Sequence, residues 1–220
     1  MVRLLALYAT LPRRADYPMT QLTSTDAFTA IAAAIMDRRT VKQFLPQPVD
    51  QATLTQLIEL AVWAPNHRLN EPWRFYVLTG DARARLGDIA GAITAAKISG
   101  AGGDPAVVAR KAGEAAAAWA SVPTLVYITM LGDPNPEVDL ENYGAVCCAI
   151  QNFTLAAHAA GIGTSWSSGA VAAAPELLTL VGAGANERMA GLLRVGYLDP
   201  ATTSPKSRRT PGTAFTRWMA

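Results

Sequence analysis

Apolar residues recur along this chain at two spacings, and turn-forming residues separate the segments. Phe28, Ile31, Ala32 and Ile35 fall on one face of a helix that Ser24 or Thr25 can cap and that ends near Asp37-Arg38-Arg39. Pro46 and Pro48 force an extended or turning stretch over 40–48. Asp50 then caps a second helix on Leu54, Leu57, Ile58 and Ala61, stopped by Pro65. A polar loop, Asn66 to Pro72, leads into a strand at Trp73–Leu78. Helices are predicted over Asp81–Ala96 and from Pro105 to Trp119, joined by a glycine-rich loop. The β-branched run Thr124–Leu131 reads as a strand buried on both faces. Leu140–Ala160 is an almost wholly apolar helix, expected to be central and covered on all sides, with Gly161 as its terminator. A glycine- and serine-rich turn, a helix from Pro175 and a strand over Gly191–Leu198 complete the pattern.

Helices and strands mix without strict βαβ alternation, which predicts an α+β class. We find no internal repeat and no linker, so residues 24–198 read as one domain. Residues 1–23 read as a poorly ordered leader, or as an over-called start upstream of Met19. Its Arg13–Arg14 pair follows the apolar stretch, where a secretion signal would have basic residues first. Residues 199–220 form an arm whose Phe215 and Trp218 need a surface to lie on, and a second subunit is one receiver.

Half of the 220 residues are hydrophobic and 16% are charged, which excludes a disordered chain. A formal charge of +2 gives no reason to expect nucleic acid or a membrane surface as partner. Charges, prolines or glycines interrupt every apolar run before membrane-spanning length, and the cytoplasm is the expected compartment. The only cysteines, Cys147 and Cys148, are adjacent, which excludes a disulfide framework. With two histidines, His67 and His158, no metal site is expected.

Gly182-Ala183-Gly184 resembles the start of a dinucleotide-binding loop, but too few residues follow it for the required helix. Four polar clusters remain. Arg38, Arg39, Thr40 and Lys42 supply three cations and a hydroxyl, groups that suit a phosphate monoester; alone, they read as a solvated helix end. The loop around His67 joins a helix to a strand, a common place for ligand contacts. In 161–169, glycines permit close backbone approach, and Trp166, Ser167 and Ser168 could face a flat heterocycle. Lys206-Ser207-Arg208-Arg209 is a second basic cluster with a hydroxyl.

In order, these clusters resemble the FMN-dependent nitroreductase family, in particular its single-domain NAD(P)H nitroreductase branch. The matching blocks are DRRTVKQFLPQPV, AVWAPNHRLNEPWRFYVLTG, AGIGTSWSSGA and PKSR, and the likeness covers about residues 27–210. The resemblance implies a mixed β-sheet flanked by helices and a homodimer with FMN sites at the subunit interface. The long apolar helix would form much of the dimer contact. Carried over by position, Arg38, Arg39 and Thr40 hold the FMN phosphate and ribityl chain, with Lys42 a further candidate. His67 contacts the flavin from its loop, Trp166, Ser167 and Ser168 lie along the ring, and Lys206 and Arg208 complete the phosphate site. The implied activity is an NAD(P)H oxidoreductase, with NADH or NADPH as donor, that reduces nitroaromatic or other electron-poor acceptors by ping-pong hydride transfer through flavin N5. The cofactor carries that chemistry, so no side chain is assigned a strictly catalytic role. The same scaffold supports other readings: dehalogenation, quinone or enone reduction, or flavin binding without catalysis. The chain departs from relatives that carry arginine at the positions of Trp63 and Ser167, and has Glu71 where glutamine is common.

Overall fold

The computed structural model describes residues 26–199, 201 and 209–219; the expected leader, the capping pair Ser24 and Thr25, and Lys206 and Arg208 lie outside them. The chain divides into two compact units, Met1–Met36 and Asp37–Ala220. Helix α1 (Asp26–Asp37) carries Phe28, Ile31 and Ile35 at the expected spacing, and none of its residues is buried.

The second unit runs α2 (Gln51–Ala61), a 3-10 turn at His67–Leu69, β1 (Trp73–Leu78), α3 (Gly80–Gly100), α4 (Pro105–Ala120), β2 (Thr124–Leu131), α5 (Pro136–Ala159), β3 (Ile162–Ser167), α6 (Pro175–Val181) and β4 (Glu187–Tyr197). A short 3-10 turn, Gly212–Phe215, lies in the arm. The helix starts follow the predicted chemistry. Asp50 accepts a 2.9 Å bond from the Thr53 N–H, and Asp104 caps α4 ahead of Pro105. Asn135 does the same for α5. Gly161, at φ +74°, takes the left-handed conformation that turns the chain out of α5.

The strands form one sheet in the order β1-β2-β4-β3. The α+β class stands. The implied mixed sheet is, among the described residues, a sheet with three antiparallel ladders, and parallel pairing is confined to one bridge, Thr40–Thr164. The α3–α4 hairpin explains the first pairing: two helices return the chain to the end of the sheet where β1 left it. The last is the edge pairing of β3 with β4, from Ile162–Tyr197 to Ser167–Leu192.

Apolar layers cover both sides of the sheet. On one side Leu54 and Leu57 of α2 and Val146, Ile150 and Phe153 of α5 pack on Val126, Ile128, Leu193 and Val195. On the other, Leu86 of α3 and Leu177 of α6 pack on Leu125, Tyr127 and Leu192. β2 is buried on both faces as its sequence predicts.

Two expectations need correction. The passage 162–167, read as a turn, is the edge strand β3. Its Gly and Ser residues carry little strand propensity, and pairing with β4 supplies the order instead. Helix α5 is not covered on all sides: Asn142, Ala145, Val146, Ala149 and Phe153 make a buried stripe, while Leu140 is 70% and Tyr143 43% exposed. The single chain has only one sheet face to offer it.

Candidate functional site

The segment after α1 is fastened to the sheet edge. Val41 donates a 2.9 Å bond to the Thr164 carbonyl, and Leu45 donates a 3.0 Å bond to the Tyr197 carbonyl. These bonds carry Arg38 and Thr40 to the mouth of a cleft of about 450 Å³. Thr164, Trp166 and Ser168, alternate residues of β3 and its end, form a second wall. Tyr143, Gln151 and Thr154 of α5 form the third. The Cys147 thiol beside it holds the Tyr143 hydroxyl above the ordinary phenol pKa, so it stays protonated at neutral pH.

Trp166 is 40% exposed and lies across Gly191 of β4. A β-carbon at Gly191 would collide with the indole. The glycine therefore lets a flat aromatic face lie against the sheet at the edge of the cleft.

The structure thus brings together Arg38, Thr40, Trp166 and Ser168, four of the residues predicted from sequence. Arg39 lines an adjoining recess of about 30 Å³ with Asp37 and His158, and its Nη1 donates to the Arg38 carbonyl at 2.9 Å. His67 stands apart from the cleft's walls, with Nδ1 2.8 Å from Glu141 Oε1 of α5. Its loop places Arg68, Leu69 and Glu71 at positive φ, an uncommon conformation for residues other than glycine. Ser167 points to the opposite face of the sheet, where Arg194 Nη1 donates to its hydroxyl at 3.4 Å. Lys42 lines a separate cleft of about 540 Å³ on that side, beside Arg194.

Sequence reasoning missed Tyr143, Gln151 and Thr154 on the cleft and Arg194 behind it. Tyr143, Cys147 and Gln151 recur four residues apart on one face of α5, a signal that was available. Arg194 gives no such signal, because its neighbours in β4 from Met189 to Tyr197 offer no second charged group at a regular spacing.

The cleft suits a phosphorylated, ring-bearing cofactor. A guanidinium and hydroxyls match a phosphate and polyol, the indole offers a flat wall, and the volume lies within the range of about 300–1,000 Å³ usual for ligand sites. Among the described residues no cluster of His, Cys, Asp or Glu could hold a metal ion, and no helix is long and apolar enough to cross a membrane.

Comparison with known proteins gives the family. The model of the nitroreductase family matches residues 35–197. The Bacillus subtilis protein named "Putative NAD(P)H nitroreductase YfhC" is 32% identical over 178 residues, 80% of this chain and 88% of that protein. The crystal structure of a nitroreductase-like family protein from Bacillus cereus superimposes with a TM-score of 0.73 at 30% identity, covering 92% of this chain and 99% of that one. The FMN-dependent nitroreductase NfnB of Mycobacterium smegmatis, solved in complex with NADPH, shares the fold with a TM-score of 0.68 at 19% identity, over 89% of this chain and 100% of that one. The chain belongs to the nitroreductase family.

Proposed function

We propose that this protein is an FMN-dependent NAD(P)H oxidoreductase that reduces nitroaromatic or other electron-poor acceptors in a ping-pong cycle. Family membership supports the class, and the names of relatives support the cofactor and the donor. The observation that carries the reading is the cleft itself, where the Val41–Thr164 bond holds a guanidinium and a hydroxyl beside the Trp166 wall.

In this reading Arg38 and Thr40 hold the phosphate and ribityl chain, with Arg39 beside them. Trp166 and Ser168 line the ring, and Gln151 and Thr154 offer further polar contacts from α5. Lys206 and Arg208 would extend the phosphate site. When bound, FMN supplies the hydride chemistry, and the residues around it bind, orient and exclude water.

The protein acts as a homodimer in this proposal. The uncovered side of α5 with Leu140 and Tyr143, and an arm whose Trp218 is 92% exposed, are the surfaces a second copy would cover. Cys147 and Cys148 are both free thiols, in keeping with a reducing cytoplasmic compartment.

Purification tests the reading directly. A yellow protein that NADH or NADPH bleaches anaerobically, and that then turns over a nitroarene, supports it. Bleaching without nitroarene turnover assigns a different acceptor. A colourless preparation that fails to take up FMN in excess overturns it.

A further inference from the structure

A cation stands on the other face of the sheet without a counter-charge. Arg194 shares its side of β4 with Leu192, pairs in register with Ser165, and faces away from the Trp166 cleft. Its guanidinium stacks on the Trp119 ring of α4, 3.7 Å from the centroid. One long bond to Ser167 is its only hydrogen bond among the described residues, and no carboxylate pairs with it there. Burial pushes its pKa down, with nothing acidic to offset it. A half-buried charge is costly unless paired, and stacking on an indole recovers only part of that cost.

The space in front of Arg194 is shaped for a ligand. The cleft of about 540 Å³ is lined by Phe44, Pro46 and Val122, with Ser121 and the Lys42 ammonium alongside. Lys42 is exposed and has no ion-pair partner among the described residues. One edge of the guanidinium is spent on Ser167, which leaves the Nε and Nη2 donors unengaged. Two parallel donors match a planar carboxylate, and the apolar lining matches a hydrocarbon body.

We infer that this cleft is a second ligand site, which binds the carboxylate of a small organic acid with an aromatic or apolar body. Arg194 takes the carboxylate as a fork, Lys42 adds a screened point charge, and Phe44, Pro46 and Val122 cover the body. The inference does not rest on the flavin reading, which uses the opposite face of the sheet.

Isothermal titration of the full-length protein as purified, with sodium benzoate, tests it. Benzamide and inorganic phosphate serve as matched probes. The expected result is one benzoate per chain, bound more tightly than either. Arg194→Met should weaken benzoate by about tenfold or more, the loss expected for a charge-assisted bond. Lys42→Gln, at an exposed position that does not threaten folding, should weaken it by about two- to fivefold. Absence of benzoate binding, unchanged affinity in both variants, or phosphate or benzamide binding as tightly as benzoate would each overturn the site. A benzoate-dependent shift of the visible flavin band that survives both substitutions would place the acid in the other cleft and overturn it as well.

Discussion

Strands β2 and β3 belong to one sheet yet play opposite parts. β2 lies between β1 and β4 with Thr124 through Met130 buried, and its apolar side chains feed both core layers. β3 lies at the edge, and its polar residues look out on either side: Thr164 and Trp166 toward the α5 cleft, Ser167 toward Arg194. One polar cluster is satisfied within the sheet itself. Glu187 of β4 accepts bonds from Tyr76 of β1, at 2.8 and 3.0 Å, and from Thr129 of β2. The interior of the sheet supplies the core, and β3 with the adjoining face of β4 supplies the surfaces that a ligand can reach.

The comparison is broken most severely from the centre. Ile128→Ala in β2 should cost about 2–5 kcal/mol, because the fully buried side chain leaves a cavity between strand and helix. Thermal unfolding measures it, and a melting temperature close to that of the parent would show that β2 does not carry the core. Arg38→Ala should do the reverse. FMN affinity falls by roughly tenfold or more, for a charge-assisted bond of about 1.5–3 kcal/mol, while stability changes by under about 0.5 kcal/mol. Equilibrium dialysis followed by flavin absorbance reads the first effect; full occupancy after dialysis would remove Arg38 from the phosphate site.

Gly191→Ala joins the two regions. Its β-carbon meets the Trp166 indole and Ile150, so the indole must rotate away from the sheet at a cost of about 1–3 kcal/mol. Weaker flavin binding and a red-shifted tryptophan emission are expected together. Unaltered emission would mean that Trp166 has another place to rest.

The smallest effect is expected at Glu187. Burial pushes its carboxyl pKa up, but bonds from Thr129, the Gly184 N–H and Tyr76 outweigh that and hold it below its ordinary value of 4.5. A carboxyl held low in the folded state adds stability that is fully present above the unfolded-state value. That stability is lost as pH falls through the lower, folded-state value. Glu187→Gln should therefore flatten the acid limb of the stability profile below about pH 4.5, lowering stability modestly near neutrality and converging on the parent in acid. Acid titrations with identical limbs in parent and variant would show that the cluster is not titrating.

Local rules made much of the centre legible in advance. A continuous β-branched run reads as β2 because nothing polar interrupts it, and Asp50, Pro105 and Gly161 mark helix ends because caps and turns depend on one or two residues. The basic segment beginning at Arg38 and the passage around Trp166 could also be picked out as chemistry by residue type and order. The edge was less legible. Ser165 and Gly163 carry no strand signal of their own, and β3 exists because β4 offers it unpaired backbone groups. Whether the alternate side chains Thr40 and Lys42 face one cleft or two depends on how the chain twists past the Thr164 bridge. Arg194 acquires meaning only when α4 lays Trp119 beneath it. Spacing along a chain sets which residues share a face, but which cleft that face meets is decided by partners distant in sequence, and those contacts exist only in the folded protein.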